Sequence, residues 1–206
     1  MTSRVPLLAP RSLLRGVVLS GALALAGCLG GPAALTTYDL SAPRPRLGGS
    51  IPGQVVVATP AAIQLYQSDR IVVRDAAGAV SLLPQAQLAD QLPALIQARM
   101  IETFENATRT RSVSRPGDRI NPDYQLATDL RAFRIDAASG EAVIEISARL
   151  VQDRTGQVVA ARVFSARRPV GAIEAAGAVR ALDEALDVIL VDMARWLAAG
   201  RAAARA

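Results

Sequence analysis

EAVIEISARLVQDRTGQVVAARVFSA (residues 141–166) reads as two strands and the turn between them. Ile144, Ile146, Ala148 and Leu150 alternate with Glu145, Ser147 and Arg149, the period-two pattern of a strand with one face on a core and the other in water. Asp153-Arg154-Thr155-Gly156 supplies a hairpin turn, and Val158 to Ala166 returns as the partner strand until Pro169 ends it. Upstream, Tyr124 to Asp136 (YQLATDLRAFRID) adds a third strand, joined through a turn at Ala137 to Gly140. Downstream the period changes. From Ala172 to Ala199 the stripe Val179, Leu182, Leu186, Ile189, Leu190, Met193 and Leu197 predicts a long amphipathic helix, with Arg180, Asp183, Glu184 and Asp187 on its other faces.

The preceding segment follows the same plan with shorter pieces. Gln54 to Thr59 and Arg70 to Arg74 are β-branched runs bounded by Pro60, Asp69 and Asp75, and Ala76-Ala77-Gly78 turns the chain into Val80 to Leu83. Beyond Pro84, Leu88, Leu92, Leu95, Ile96, Ile101 and Phe104 fall at helical spacing, with Asp90 expected in the first turn. Pro93 either kinks this helix or marks a start just before it, where its missing N–H costs nothing. The fold class expected is α+β, an antiparallel or mixed sheet packed by two long helices. Strands followed by a helix in each half also suggest a duplicated β-β-α plan.

The N-terminal residues have a different character. Arg4, Arg11 and Arg15 precede an uncharged run from Val17 to Ala26, the layout of a secretory signal, and this run is too short to span a bilayer, which takes about 20 apolar residues. It ends at Leu25-Ala26-Gly27-Cys28, which resembles the bacterial lipobox, so residues 1–27 are expected to be a signal peptide and Cys28, the only cysteine, the lipidated first residue of the mature chain. Two or three acyl chains hold a protein on a membrane where one does not. Residues 28–53, rich in Gly and Pro, read as a tether in which Thr37 to Leu40 could dock as a short edge strand. Residues 54–199 are expected to form one domain, and 200–206 a disordered tail.

The residue inventory excludes much chemistry. The chain has no His, no Lys and no thiol besides Cys28, which removes Ser-His-Asp, Cys-His, zinc-finger and Walker A sites. Neither a catalytic role nor a cofactor or metal is expected. The formal charge of +5 includes the three signal arginines, and aromatics make up 3% of residues, a poor match to nucleic-acid binding. Asp183, Glu184 and Asp187 are expected on the wet face of their helix, with Arg180 as an ion-pair partner for Glu184. The polar connector 106–123 carries Arg109, Arg111, Arg115 and Arg119. These are either a solvated loop or a patch for phosphate head groups or an acidic partner.

Across the mature chain the sequence resembles the ABC-type transport auxiliary lipoproteins. The resembling residues are Leu25-Ala-Gly-Cys28, Tyr38-Asp-Leu40, Val55 to Val57, Asp69 to Arg74, Asp123 to Leu126, Asp129-Leu130, Phe133, the hairpin Ala148 to Gly156, Phe164 and the terminal helix with Trp196. Leu88 stands where the family commonly has Trp in the first long helix. The resemblance implies an accessory of an ABC/MCE-type lipid-transport system, whose partners are an inner-membrane ABC transporter and an MCE-type protein, with phospholipid contact and homo-oligomerisation left open. Because Leu29 and Gly30 follow Cys28, with no Asp, the resemblance implies the periplasmic leaflet of the outer membrane. The expected action is docking or aligning the transporter across the periplasm. Two alternatives stand beside it: a periplasmic carrier of lipid or a small ligand with an internal apolar pocket, and a structural lipoprotein bound to the cell wall.

Overall fold

The computed structural model describes residues 34–47, 51, 53–107, 112–171 and 173–199. From Leu35 onward they form one compact unit. Its centre is a meander of three long antiparallel strands, which we number in chain order with the rest of the fold: β8 (Tyr124–Asp136), β9 (Glu141–Gln152) and β10 (Val158–Pro169). On β9, the even-numbered residues from Ala142 to Leu150 are buried, as the alternation requires. On β8 the buried parity switches from Leu126, Thr128 and Leu130 to Phe133 and Ile135. A bulge between Leu130 and Ala132 absorbs Arg131 and keeps both sets on one face of the sheet.

Against the other edge of β8 lie three short parallel strands, placed end to end in chain order. These are β2 (Val55–Val57) opposite Tyr124–Leu126, β3 (Ala61–Ala62) opposite Asp129–Leu130, and β4 (Val72–Arg74) opposite Arg134–Asp136. Pro60 separates the first two, since it has no N–H to donate to a ladder. Strand β5 (Val80–Leu82) folds back on β4 through a turn in which Gly78 takes φ +84° and Asp75 Oδ1 accepts the Ala79 N–H at 2.8 Å. Strand β7 (Val113–Ser114) pairs with the free side of β2. The sheet is therefore mixed, and the fold is α+β. The first half is built of fragments docked on β8, the second of continuous strands.

Helices α1 (Leu92–Ala107) and α2 (Ala175–Ala199) pack on one face of this sheet, α2 across β10, β9 and β8, and α1 beside it over β2 and β7. Leu182, Leu186 and Leu190 of α2 and Ile96, Met100 and Phe104 of α1 are completely enclosed. Phe164 meets Trp196 edge-on at 5.7 Å, and Phe133 is buried, so both phenylalanines of the sheet serve packing.

Two expectations at the start of α1 are corrected. Leu88 lies in a strand, β6 (Ala86–Leu88), which pairs in parallel with β1 (Thr36–Tyr38) as a separate two-stranded sheet. Asp90 precedes the helix, where its Oδ1 accepts the Gln91 N–H at 2.6 Å. Pro93 sits in the first turn, the position where its lack of an N–H is harmless. The reading of residues 28–53 as a tether is also too broad: Leu40 and Ile51 are core residues, and Tyr38 and Leu47 pack against them.

Candidate functional site

Cys28, the signal segment 1–27, Arg109, Arg111 and the tail 200–206 lie outside the described residues. The described chain enters as a strap of residues 34–47 fixed to both helices. Arg99 of α1 donates from Nη2 to both carboxylate oxygens of Asp39, at 2.8 and 2.7 Å, and from Nη1 to Glu102 at 2.7 Å. Partial burial would lower the pKa of this guanidinium, but the hydrogen bonds and charge of Asp39, then of Glu102, outweigh it and leave the pKa raised. On α2, Asp183 accepts the Ser41 N–H at 2.7 Å and its hydroxyl at 3.0 Å, while Asp187 lies 3.2 Å from the same hydroxyl.

The acidic row of α2 thus has a purpose that its helical spacing does not reveal. It receives the strap, and among the described residues no ion pair joins Arg180 to Glu184. Burial raises the pKa of Asp187, the charge of Asp183 adds to this, the Ser41 hydrogen bond opposes it and Glu184 contributes a further increment. Among the described residues no group of three or more carboxylates is placed to hold a metal ion.

A second feature lies at one end of the sheet. Val113, Val55, Tyr124 and Gln152 occupy one cross-strand row; residue 123 and the β9–β10 hairpin lie beyond it, while β7, parallel to β8, leads into loop 115–123 from the inner side of the row. The Asp153 N–H donates to the Asp123 carbonyl at 3.0 Å, which joins those loops. In the first loop the Arg115 N–H donates to Asp118 Oδ2 at 2.7 Å; Gly117 (φ +95°) and Arg119 (φ +49°) both take left-handed conformations. Arg115 and Arg119 are exposed, as is Arg154 on the hairpin. Of the four candidate arginines, Arg115 and Arg119 are described, both exposed in loop 115–123. The hairpin that carries Arg154 meets the end of that loop at Asp123, a proximity that depends on the 124–152 pairing and cannot be read from sequence spacing.

A third feature is an open groove of about 550 Å³ lined mostly by polar residues, among them Thr37, Gln67, Asp69, Gln87, Asp90 and Gln91, together with Leu88 and Ala89. Among the described residues no helix is long and apolar enough to cross a membrane.

Comparison with known proteins bears on the family and the fold. An uncharacterised protein of Bradyrhizobium diazoefficiens is 37% identical over 175 residues, which are 81% of this chain and 46% of that protein, so the chain spans about half the length of this curated relative. A crystal structure of a Xanthomonas campestris protein superposes with a TM-score of 0.73 at 27% identity, covering 80% of this chain and 96% of the other. A second crystal structure, of an uncharacterised protein, shares the fold with a TM-score of 0.63 at 14% identity, covering 80% and 99%. The family model described as "ABC-type transport auxiliary lipoprotein component" matches residues 38–194, from the strap through most of α2. The chain belongs to the family of ABC-type transport auxiliary lipoprotein components.

Proposed function

We propose that this chain is a non-catalytic accessory of an ABC/MCE-type lipid-transport system, anchored through acylated Cys28 to the periplasmic leaflet of the outer membrane. There it docks or aligns a transporter rooted in the inner membrane. Family membership supports a transport accessory, and the observation that carries the docking reading is the strap. The residues that follow the proposed anchor are held by Asp39 and Ser41 to both helices, so the membrane attachment is coupled to the body of the domain. A carrier would need an enclosed apolar space. Among the described residues Met100, Phe104, Leu126, Ile146 and Leu186 are buried in the layer between sheet and helices, and the groove described above is open and mostly polar.

The test pairs two variants in cells. Cys28→Ser should release a folded domain into the soluble periplasmic fraction and abolish function, because the contacts of the domain lack the local concentration that tethering supplies. Leu29→Asp should leave it acylated but retained at the inner membrane, with a detergent-sensitive envelope. Wild-type protein found with the inner membrane, or an untethered domain that restores the barrier, would overturn the proposal.

A further inference from the structure

We infer that the outer edge of β10 receives an extended strand of a protein partner, one whose acidic residues stand six apart with apolar residues at the two same-face positions between them. This deepens the docking reading and rests on it for the partner's place in transport. Strand β10 ends the sheet, and among the described residues nothing pairs with its outer side. The Val170 N–H donates to the Gly140 carbonyl at 2.7 Å, so the register puts the even-numbered residues of β10 in the bonded pairs with β9. The N–H and C=O groups of Ala161, Val163, Ser165 and Arg167 therefore point away from the sheet, and all four residues are exposed. Edge strands are commonly guarded by bulges and prolines. Here the bulge between Val158 and Ala160 stands at one end and Pro169 at the other, and Ala160 to Arg168 runs between them without either.

The side chains select the occupant. Arg162 and Arg168 share the helix-side face of β10 with Phe164 and Ala166, about 20 Å apart along the strand. The Arg162 guanidinium lies over the Phe164 ring at 5.0 Å, and Phe164 in turn meets the half-buried Trp196 of α2. Strand β10 itself has no carboxylate. On β9, Glu141 is engaged by Arg167 at 3.1 Å and Glu145 by Arg131 at 3.3 Å, and Arg162 and Arg168 form no ion pair among the described residues. An added strand sets its same-face side chains beside these, which suits a carboxylate next to each arginine and an apolar residue next to Phe164 and Ala166. A second copy of this chain fits poorly: two β10 edges would bring together three arginines from each and no carboxylate from either.

The probe is the acetylated, amidated peptide Thr-Glu-Thr-Val-Thr-Val-Thr-Glu-Thr, titrated into protein purified from membranes in detergent and followed through the fluorescence of Trp196, the only tryptophan of the chain. Hydrogen exchange of the complex should show new protection at Ala161, Val163, Ser165 and Arg167. A peptide with Lys for both Glu should bind about tenfold more weakly, and Arg162→Gln should weaken the parent peptide to a similar degree. Methylating alternate peptide nitrogens should weaken binding about tenfold for one set and little for the other, because a strand offers β10 only one of its edges. Val163→Pro removes an outward N–H that β9 does not use, so it should abolish binding while exchange in β8 and β9 stays native. The methylated peptides test the same ladder without altering the protein. The inference would be overturned by a peptide that does not bind, by methylated or Lys peptides that all bind like the parent, by protection confined to other strands, or by copies of the protein that associate through β10 in the absence of peptide. Fractionation of the same cells separates the two readings. Wild-type protein at the inner membrane refutes the proposed placement while peptide binding stands, whereas a correctly placed protein that ignores the peptide refutes this inference alone.

Discussion

Asp187 is half-buried, faces Asp183 one turn away and receives one hydroxyl, from Ser41. Its pKa is raised, chiefly by burial. The folded protein therefore binds this proton more tightly than the unfolded chain does. The stabilisation from that proton is complete below the ordinary carboxylate range and is lost as pH rises through the raised folded value. At neutral pH the ionised carboxylate is a small liability. Asp187→Asn, which keeps an acceptor for Ser41, should stabilise the protein at pH 7 and lose that advantage as the pH approaches 4, as read from urea melts across the range. A variant that is destabilised at neutral pH would mean that the charge itself, rather than an acceptor oxygen, holds the strap.

At the scale of elements, α2 and the entry to β2 make contrasting demands on their residues. Leu186 is enclosed between α2 and the sheet, so Leu186→Ala should cost about 2–5 kcal/mol. Gly53 adopts φ +67° directly under the Asp123 carboxylate, and a Cβ there would stand 2.5 Å from Asp123 Oδ2. Gly53→Ala should cost about 1–3 kcal/mol, and Asp123→Ala in the same background should recover part of it, because the clash is with that side chain. Denaturant melts of the single and double variants check both. The strands of the meander and the stripe of α2 were legible because alternation, turn and helical spacing agree over a dozen or more residues. Leu88 was misread because its four-residue distance from Leu92 is a helical spacing too, and only the pairing of Leu88 with Tyr38 distinguishes strand from helix. Strand β3 is two alanines, with no pattern to read. The acidic row on α2 was assigned to ion pairing within the helix because its real partner, Ser41, lies 142 residues from Asp183.

For the whole molecule, the arrangement separates two parts: a buried core between sheet and helices, and a strap of residues 34–47 held to both helices. Helices cover one face of the sheet, while Arg149, Ala161 and Val163 on the other are open to solvent. Strand β8 joins these parts, pairing with β9 along one edge and with β2, β3 and β4 along the other. That arrangement has a consequence in time. The chain emerges N-terminus first, yet the segments at 55–57, 61–62 and 72–74 are too short to hold a ladder without a template that is made later. We therefore expect β2, β3 and β4 to pair only once residues 124–136 have been made. Pulsed hydrogen exchange during refolding should find the amides of β8 and β9 protected before those of β2 and β4; the reverse order would show that the fragments assemble without their template.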